Sequence, residues 1–313
     1  MTATTVKPMG LASRLVSGIL QIQPLFDLAR KRARSMMVQR ASQIGVDWPA
    51  RTAALRQRQS EQPFSPDWEQ DLQALTNPDL QYPSYYVAPF HAYPEGNLGW
   101  DPAMEVEVAA LSVHARIWPE AGAQGDAQLR ASYHQVLKEQ LPTAPQRILD
   151  IGCSVGMSTF TLQDTFPEAA IAGLDLSPYF LAVAKYQAEQ AGRSVRWHHA
   201  AAEATGLPDQ SFDLVSSCLV FHELPAQAAQ DILKEARRLL PVGGHIALMD
   251  MNPQSEVFAK MPPYILTLLK STEPYIDEYF SLDLDAVFQV AGFTAPTRVR
   301  NSPRHHTLIA QAI

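Results

Sequence analysis

The stretch at residues 148–159, ILDIGCSVGMST, constrains the fold of this 313-residue chain more than any other. Three aliphatic residues and one acid end at once in Gly152, a second glycine follows at Gly156, and a helical pattern comes next. A short apolar strand that turns through glycines into a helix is typical of a parallel sheet, where the carboxyl ends of the strands face a ligand. The stretch therefore predicts an α/β fold with this loop in a binding site.

The five residues GCSVG allow two interpretations. They fit the G-x-S-x-G turn that exposes a nucleophilic serine in α/β-hydrolases, and Asp250 and His305 follow Ser154 in the chain order of such enzymes. They also fit a glycine-rich cofactor loop led by Asp150. The hydrolase interpretation lacks the strands and the oxyanion loop that precede the elbow, because the residues before 147 are helical in pattern or rich in proline. It also has no role for Asp150 or Asp175, so the sequence favours the cofactor loop.

Asp175 strengthens the cofactor interpretation. It closes a second apolar run, GLDL, 19 residues after Gly156, the position from which a carboxylate accepts hydrogen bonds from ribose hydroxyls. A dinucleotide loop would need glycines where Ser154 and Met157 stand, so NAD and FAD are disfavoured. A nucleoside with an amino-acid tail has no pyrophosphate to seat and fits this loop better.

From residue 147 onward, strand and helix patterns alternate, which predicts a doubly wound, mostly parallel sheet covered by helices on both faces. We expect an N-terminal extension over residues 1–125, a helical arm followed by a segment rich in proline and aromatics, and a cofactor-binding domain over 126–313. The predicted strands are 148–151, 170–176, 195–200, 212–220, 245–251, 297–300 and 307–313, and the main helices between them are 158–165, 178–191, 225–240 and 283–291.

Four segments in this order, LDIGCSVG, GLDLSPYFL, AAEATGLPDQSFDLVSSCLVFHEL and ARRLLPVGGHIALMD, resemble the class I S-adenosylmethionine-dependent methyltransferases. The resemblance covers about residues 126–313 and is strongest to the group that contains small-molecule and quinone methyltransferases. It implies a Rossmann-like, seven-stranded sheet with the last strand antiparallel, and S-adenosylmethionine as the cofactor.

The resemblance also implies which residues contact the cofactor. The loop lies under the methionine part, the acid after strand two holds the ribose, and the later residues border the adenine and the amino-acid tail. These residues are Asp150, Gly152, Cys153, Ser154, Gly156, Asp175, Leu176, Ala202, Glu203, Ser217 and Cys218. Many relatives have glycine at position 154 and aspartate at position 201, where this chain has Ser154 and Ala201. We predict no metal site, and we interpret Cys153 and Cys218 as small residues.

Two histidines are candidates for accepting a proton from the substrate. His222 follows the fourth strand, at the edge that faces the ligand, and His91 lies among aromatics that could cover the site. The expected reaction is O-, C- or N-methylation of a small, partly apolar molecule such as a quinone, a phenol or an isoprenoid-like compound. A non-catalytic subunit that binds the cofactor only to stabilise an assembly is a further alternative, because class I enzymes share no invariant catalytic side chain.

The net charge of −7 is uneven, with +8 in residues 1–60 and −15 in the remainder. The acidic body argues against nucleic-acid binding. No run of about 18 apolar residues occurs and only two cysteines are present, so we expect a cytoplasmic protein. The basic arm predicts peripheral contact with an anionic membrane, although its freedom from acids before Asp27 also fits an organelle-targeting segment. The arm residues are Leu25, Leu28, Arg30, Lys31, Arg32, Arg34, Met36 and Met37.

Overall fold

The computed structural model describes residues 23–87, 93 and 95–313. The helices are α1 Gln23–Gln43, α2 Trp48–Gln57, α3 Asp67–Leu75, α4 Trp100–His114, α5 Gly125–Gln140, α6 Met157–Thr165, α7 Pro178–Gln190, α8 Ala226–Leu239, α9 Glu256–Ala259, α10 Pro263–Thr272, α11 Ile276–Ser281 and α12 Leu284–Val290. The strands are β1 Arg147–Ile151, β2 Ala170–Asp175, β3 Arg196–His199, β4 Leu214–Cys218, β5 His245–Met251, β6 Thr297–Arg300 and β7 His305–Gln311. Short 3₁₀ helices span Gly122–Gln124 and Phe221–Glu223.

The seven strands form one sheet in the order β3-β2-β1-β4-β5-β7-β6. Strands β1 to β5 are parallel, whereas β7 runs antiparallel to both β5 and β6. From β1 the chain adds β2 and β3 on one side and then β4 and β5 on the other, so the strand order reverses between β1 and β4. Such a switch point opens a crevice at the carboxyl ends of the strands. The predicted fold class is therefore confirmed, including the antiparallel last strand.

Local sequence explains where several of these elements begin and end. Ser177 caps α7 by accepting a hydrogen bond from the Phe180 N–H, and Pro178 occupies the first turn. The chain leaves α7 through Gly192, whose φ of +62° is the left-handed conformation that glycine adopts easily. Strand β4 is buried at all five positions, as expected for a central parallel strand covered on both faces.

The helices before residue 125 pack over the carboxyl edge of the sheet and onto α7. Trp68 on α3 is fully buried and meets the Tyr186 ring of α7 edge-on. On the other side, α1 lies against both α4 and α10. Arg34 of α1 donates to the Glu105 carboxylate of α4 over 2.8 Å. The division into an extension and a binding domain stays a prediction, but these contacts place the extension beside the crevice.

Two regions differ from the sequence predictions. Helix α3 lies in the segment rich in proline and aromatics, for which we predicted no helix, and α9, α10 and α11 lie between residues 251 and 283, where we predicted no element. These helices are short and start beside prolines or a capping serine. The last strand also begins two residues before the predicted 307–313, so His305 and His306 are buried inside β7.

Candidate active site

A cavity of about 420 Å³ opens at the switch point of the sheet, within the range of about 300–1,000 Å³ usual for ligand pockets. One end is formed by the loop after β1, the end of β2 and the segment after β4. The other end is apolar and is formed by α1, α4, α9 and α10. The cavity therefore lies between the switch point of the sheet and the helices α1, α4, α9 and α10.

The loop after β1 contains the features that a close-approaching ligand requires. Gly152 has a φ of +66°, and a Cβ built there would lie 2.5 Å from Val220 Cγ2. Ser154 also has a positive φ, of 49°, which is strained for a residue other than glycine. Within the described part of the chain, the buried Ser154 hydroxyl has no hydrogen-bond partner. A cradle that only glycine fits and an unsatisfied buried hydroxyl both suit a polar ligand at this loop.

Asp175 lies at the centre of the cofactor end. Its carboxylate accepts hydrogen bonds from the backbone N–H groups of Ser154 and Ser177, each over 2.8 Å. The Tyr86 hydroxyl donates to it from above over 3.5 Å. Burial raises the pKa of Asp175 to about 6, because a charged carboxylate loses solvation there. A ribose that donates two hydroxyls would restore that lost solvation.

Asp150 has a different environment from the one expected of a ligand contact. It is fully buried, and its carboxylate accepts hydrogen bonds from the Ser158 and Thr159 hydroxyls, both over 2.7 Å. It thereby ties the end of β1 to the first turn of α6 and shapes the loop from behind. Burial raises its pKa to about 6.

The predicted cofactor residues divide into two groups by position. Those on the cavity wall are Gly152, Cys153, Ser154, Asp175, Leu176, Ala202 and Cys218. Those behind it are Asp150, Gly156, Glu203 and Ser217. The Glu203 carboxylate accepts a hydrogen bond from Tyr85 over 2.6 Å, and the Ser217 hydroxyl donates to the Ile151 carbonyl over 3.2 Å. Direct contact with the cofactor is therefore a better expectation for the first group.

Arg130 is a cavity residue that the sequence did not reveal. It lies on α5, is buried, and points toward Cys218 Sγ, 3.5 Å from its Nη1. Asp126 pairs with its Nε over 2.9 Å and also contacts His114 Nδ1 over 2.7 Å. Burial would raise the pKa of Asp126, but Arg130 and His114 hold it below its usual range. A guanidinium at this position can pair with the carboxylate of an amino-acid tail.

His222, in the segment after β4, is a titratable group on the cavity wall. Its Nδ1 lies 2.7 Å from Asp250 Oδ1, and its Nε2 lies 4.0 Å from Glu273 Oε2. Burial lowers the pKa of His222, but the charge and hydrogen bond of Asp250 outweigh burial and raise the pKa to about 10. A ring nitrogen of His222 and one carboxylate oxygen each of Glu223 and Glu273 lie within 4.8 Å of one another. The imidazole therefore has an acidic environment.

The serine nucleophile hypothesis is wrong. Asp250 pairs with His222 rather than with His305, and His305 Nδ1 instead contacts the Ser302 hydroxyl over 2.8 Å. No imidazole among the described residues reaches Ser154. The second histidine candidate, His91, lies outside the described residues. Of the aromatics expected to cover the site, Tyr85, Tyr86 and Tyr93 line the cavity.

Comparison with known proteins agrees with this geometry. A family model described as a methyltransferase domain matches residues 148–244. The chain is 32% identical over 163 residues to an uncharacterized methyltransferase of Synechocystis, covering 52% of this chain and 74% of that protein. A crystal structure of a candidate O-methyltransferase from Nostoc punctiforme superimposes with a TM-score of 0.50 at 18% identity, covering 82% of this chain and 69% of the other, which supports the fold.

Two curated quinone methyltransferases are also similar over shorter stretches. The demethylmenaquinone methyltransferase of Thermus thermophilus is 34% identical over 113 residues, covering 36% of this chain and 50% of that enzyme. The ubiquinone biosynthesis O-methyltransferase of Cereibacter sphaeroides is 30% identical over 132 residues, covering 42% of this chain and 52% of that enzyme. The chain thus spans about half the length of these two relatives.

The sheet order, the glycine cradle and the acid at the end of β2 suit an α/β protein that binds a nucleoside with an amino-acid tail. Together with these relatives they give the family: the chain belongs to the class I S-adenosylmethionine-dependent methyltransferases. S-adenosylmethionine is its cofactor, and the residues at the sheet edge fit that molecule. In the part of the chain that the structure describes, no helix is both long and apolar enough to span a bilayer.

Proposed function

We propose that the chain methylates a hydroxyl oxygen on a small, largely apolar ring compound of the quinone or phenol type. The observation that carries this proposal is the His222–Asp250 pair on the wall of the cavity. Oxygen nucleophiles carry a proton that must leave when the new bond forms, and an imidazole held by a carboxylate is a common acceptor for it. Bound S-adenosylmethionine supplies an electrophilic methyl group on a sulfonium.

The proposed proton acceptor is His222 Nε2, because Nδ1 already faces Asp250. Asp250 fixes the tautomer and stabilises the imidazolium that forms when the hydroxyl proton is transferred. The raised pKa of His222, about 10, is close to the value of about 10 for a phenol, so the transfer is nearly balanced. The sulfonium cation of bound S-adenosylmethionine would lower the pKa of the His222 imidazole toward neutrality. A larger fraction of His222 would then be neutral and able to accept a proton.

The far end of the cavity supports an apolar substrate. Helices α1 and α4 and the segment containing α9 and α10 supply its walls there. The apolar residues are Met37, Val106, Ala109, Ala110, Val113, Phe258, Met261, Ile265 and Leu269. Burying a hydrocarbon tail against such walls is favourable by about 25 cal/mol per Å² of apolar surface. The names of two relatives, a demethylmenaquinone methyltransferase and a ubiquinone biosynthesis O-methyltransferase, support a quinone-type substrate. The apolar walls suit an isoprenoid-like tail on such a compound.

The test is methyl transfer from labelled S-adenosylmethionine to a panel of catechols and hydroquinones, with and without a prenyl tail. We expect label on oxygen, a lower KM for tailed compounds, and a loss of about 10²- to 10⁴-fold in kcat for His222→Gln. The matched control is His245→Gln, at the opposite, amino end of β5, which should leave kcat unchanged. Label on carbon or nitrogen, or full activity in His222→Gln, would reject the proposal.

The same assay separates the enzyme from a non-catalytic subunit. A subunit of that kind would bind S-adenosylmethionine with ordinary affinity yet transfer no methyl group to any compound of the panel or to a lipid extract. Calorimetric titration of S-adenosylmethionine, run in parallel, shows whether an inactive preparation is folded and able to bind. Binding without transfer would favour the subunit.

A further inference from the structure

Three arginines lie around the carboxyl-terminal end of α4, and one of them, Arg304, lines the cavity. Arg40 is near the end of α1, beside Ala41, which packs against Val108 of α4. Arg116 is two residues past the last residue of α4. Arg304, in the turn between β6 and β7, donates from Nη2 to the Val113 carbonyl of α4 over 3.0 Å. Three separate elements therefore bring positive charge to one place.

No carboxylate neutralises this arginine cluster among residues 23–87, 93 and 95–313. The ion pairs of the described residues include none with these three guanidiniums, and the Nε atoms of Arg40 and Arg304 are buried without an acceptor. On α4, Glu105 pairs with Arg34 and Glu107 with Arg51, and Asp101 pairs with Arg56. On α5, Asp126 pairs with Arg130.

The proximity of the positive charges also affects the ionisation of Arg304 and Arg40. Burial and the charge of Arg40 together lower the pKa of Arg304 to about 10. Burial and the charge of Arg116 lower the pKa of Arg40. Like charges held together with buried, unsatisfied donors are unfavourable unless an anion accompanies them.

We propose that Arg40, Arg116 and Arg304 form a binding site for a phosphoryl group, of either a phosphate ester or a diphosphate. Guanidinium forks match the oxygens of a tetrahedral oxyanion, and three positive charges suit a phosphate dianion better than a single carboxylate. Arg304 also lines the cavity that contains His222. A phosphoryl group bound here can therefore belong to a molecule whose apolar part lies in that cavity. The proposal goes beyond the methylation reaction and does not depend on it.

Calorimetric titration of the full chain with inorganic pyrophosphate tests the site directly, without S-adenosylmethionine or any methyl acceptor. Loss of one charged hydrogen-bonding partner should weaken pyrophosphate binding by about tenfold or more, both in Arg304→Gln and in Arg116→Gln. The control is Arg196→Gln, an exposed arginine on β3, which should bind as the wild type does. No binding by the wild type, or equal binding by all four proteins, would overturn the proposal.

A second measurement separates an anion site from a purely structural role for Arg304 as a cap on α4. Arg116 is exposed, so Arg116→Gln should keep the wild-type Tm in buffer without phosphate but lose most of the Tm increase that pyrophosphate gives. If pyrophosphate raises the Tm of Arg116→Gln as much as that of the wild type, the guanidiniums are structural and the proposal fails.

The source of the phosphoryl group follows from a comparison of inorganic phosphate with hexyl phosphate. If the group belongs to a substrate, hexyl phosphate binds more tightly than inorganic phosphate. Ala110→Phe, which narrows the apolar end of the cavity, then removes the extra affinity for hexyl phosphate and leaves the affinity for inorganic phosphate unchanged. Equal affinities for the two probes, each weakened by Arg304→Gln, would show a site for free phosphate. Either result supports a phosphoryl site. Neither depends on methyl transfer, so a failure of the methylation assay would not affect them.

Discussion

The Asp250 carboxylate holds His222 from two directions. Its Oδ1 lies 2.7 Å from His222 Nδ1, and its Oδ2 accepts the backbone N–H of the same residue over 3.2 Å. The Met251 N–H also donates to Oδ1, over 2.6 Å. The ring and the backbone of His222 are therefore fixed by one carboxylate at the end of β5, and Nε2, 4.0 Å from Glu273 Oε2, is the ring nitrogen that faces away from Asp250.

This pairing predicts how the rate depends on pH. Burial lowers the pKa of His222, but Asp250 raises it to about 10, so the neutral, proton-accepting form grows as pH rises. We expect kcat/KM for a phenolic substrate to rise with pH below that pKa and to level off above it. In Asp250→Asn the pKa falls toward the usual value of about 6.5, so the rising limb moves to lower pH while kcat drops by about 10²- to 10⁴-fold.

The control for that series is Asp231→Asn, on the surface of α8, which should keep the wild-type profile. Stability gives an independent check, because a base whose folded pKa lies above its unfolded pKa stabilises the protein fully below the unfolded value. The contribution of His222 is then lost between about pH 6.5 and the raised pKa of about 10. A rising limb at the same pH in wild type and Asp250→Asn would show that the substrate, not His222, titrates.

The ionisation of Asp175 predicts that binding of S-adenosylmethionine depends on pH. We expect its ionised carboxylate to accept hydrogen bonds from the ribose hydroxyls, and burial raises its pKa to about 6. Affinity for S-adenosylmethionine should therefore decline as pH falls through 6, and Asp175→Asn should bind weakly with little pH dependence. Calorimetric titration between about pH 5 and 8 measures this without any methyl acceptor.

Asp209→Asn, an exposed acid after β3, is the control for the Asp175 series and should bind as the wild type does. Asp150 titrates in the same range, since burial raises its pKa to about 6. Any dependence of S-adenosylmethionine affinity on pH that persists in Asp175→Asn measures the contribution of Asp150. Unchanged affinity in Asp175→Asn would mean that the ribose is held by other groups.

The sequence predicted the sheet better than it predicted the walls of the cavity. Strands β1, β2 and β5 each contain a run of apolar residues and an acid close to the carboxyl end, so their positions are encoded locally. Arg130 could not be recognised, because its pattern is that of an amphipathic helix and only the packing of α5 brings it to Cys218. The pairing of Asp250 with His222 depends in the same way on the adjacency of β4 and β5. Helices α9 to α11 are too short for a clear 3.6-residue period.

The two glycines at Gly152 and Gly45 allow a matched test of the cofactor cradle. Both have positive φ, of +66° and +76°, but an added Cβ meets Val220 at 2.5 Å only at Gly152 and meets nothing within 4 Å at Gly45. Each substitution by alanine should cost about 1–2 kcal/mol of stability from the left-handed backbone alone. Gly152→Ala should also lose most of its affinity for S-adenosylmethionine, whereas Gly45→Ala should retain it. Equal affinities, with urea unfolding as the stability measure, would contradict the assigned cradle.

The exposed face of α1 predicts contact with an anionic membrane, in a narrower form than the sequence indicated. Arg34 is bound to Glu105 and Arg30 is buried. The exposed residues recur every three to four positions and include Leu25, Leu28, Lys31 and Arg32. Apolar side chains beside cations on one helical face suit the boundary between lipid headgroups and acyl chains. This face lies on the helix that also supplies Met37 to the cavity wall, so an apolar substrate would have a short path from lipid.

Sedimentation with vesicles that contain anionic lipid measures this contact. We expect Leu28→Ser, whose side chain is 64% exposed, to weaken vesicle binding, and Val290→Ser, 73% exposed on α12, to have no effect. The double variant Lys31→Gln, Arg32→Gln should lose about 1 kcal/mol of binding for each cation removed, and the loss should shrink at high salt, where the attraction is screened. If vesicles bind all of these proteins equally, or bind them as well without anionic lipid, α1 does not contact the membrane by this face.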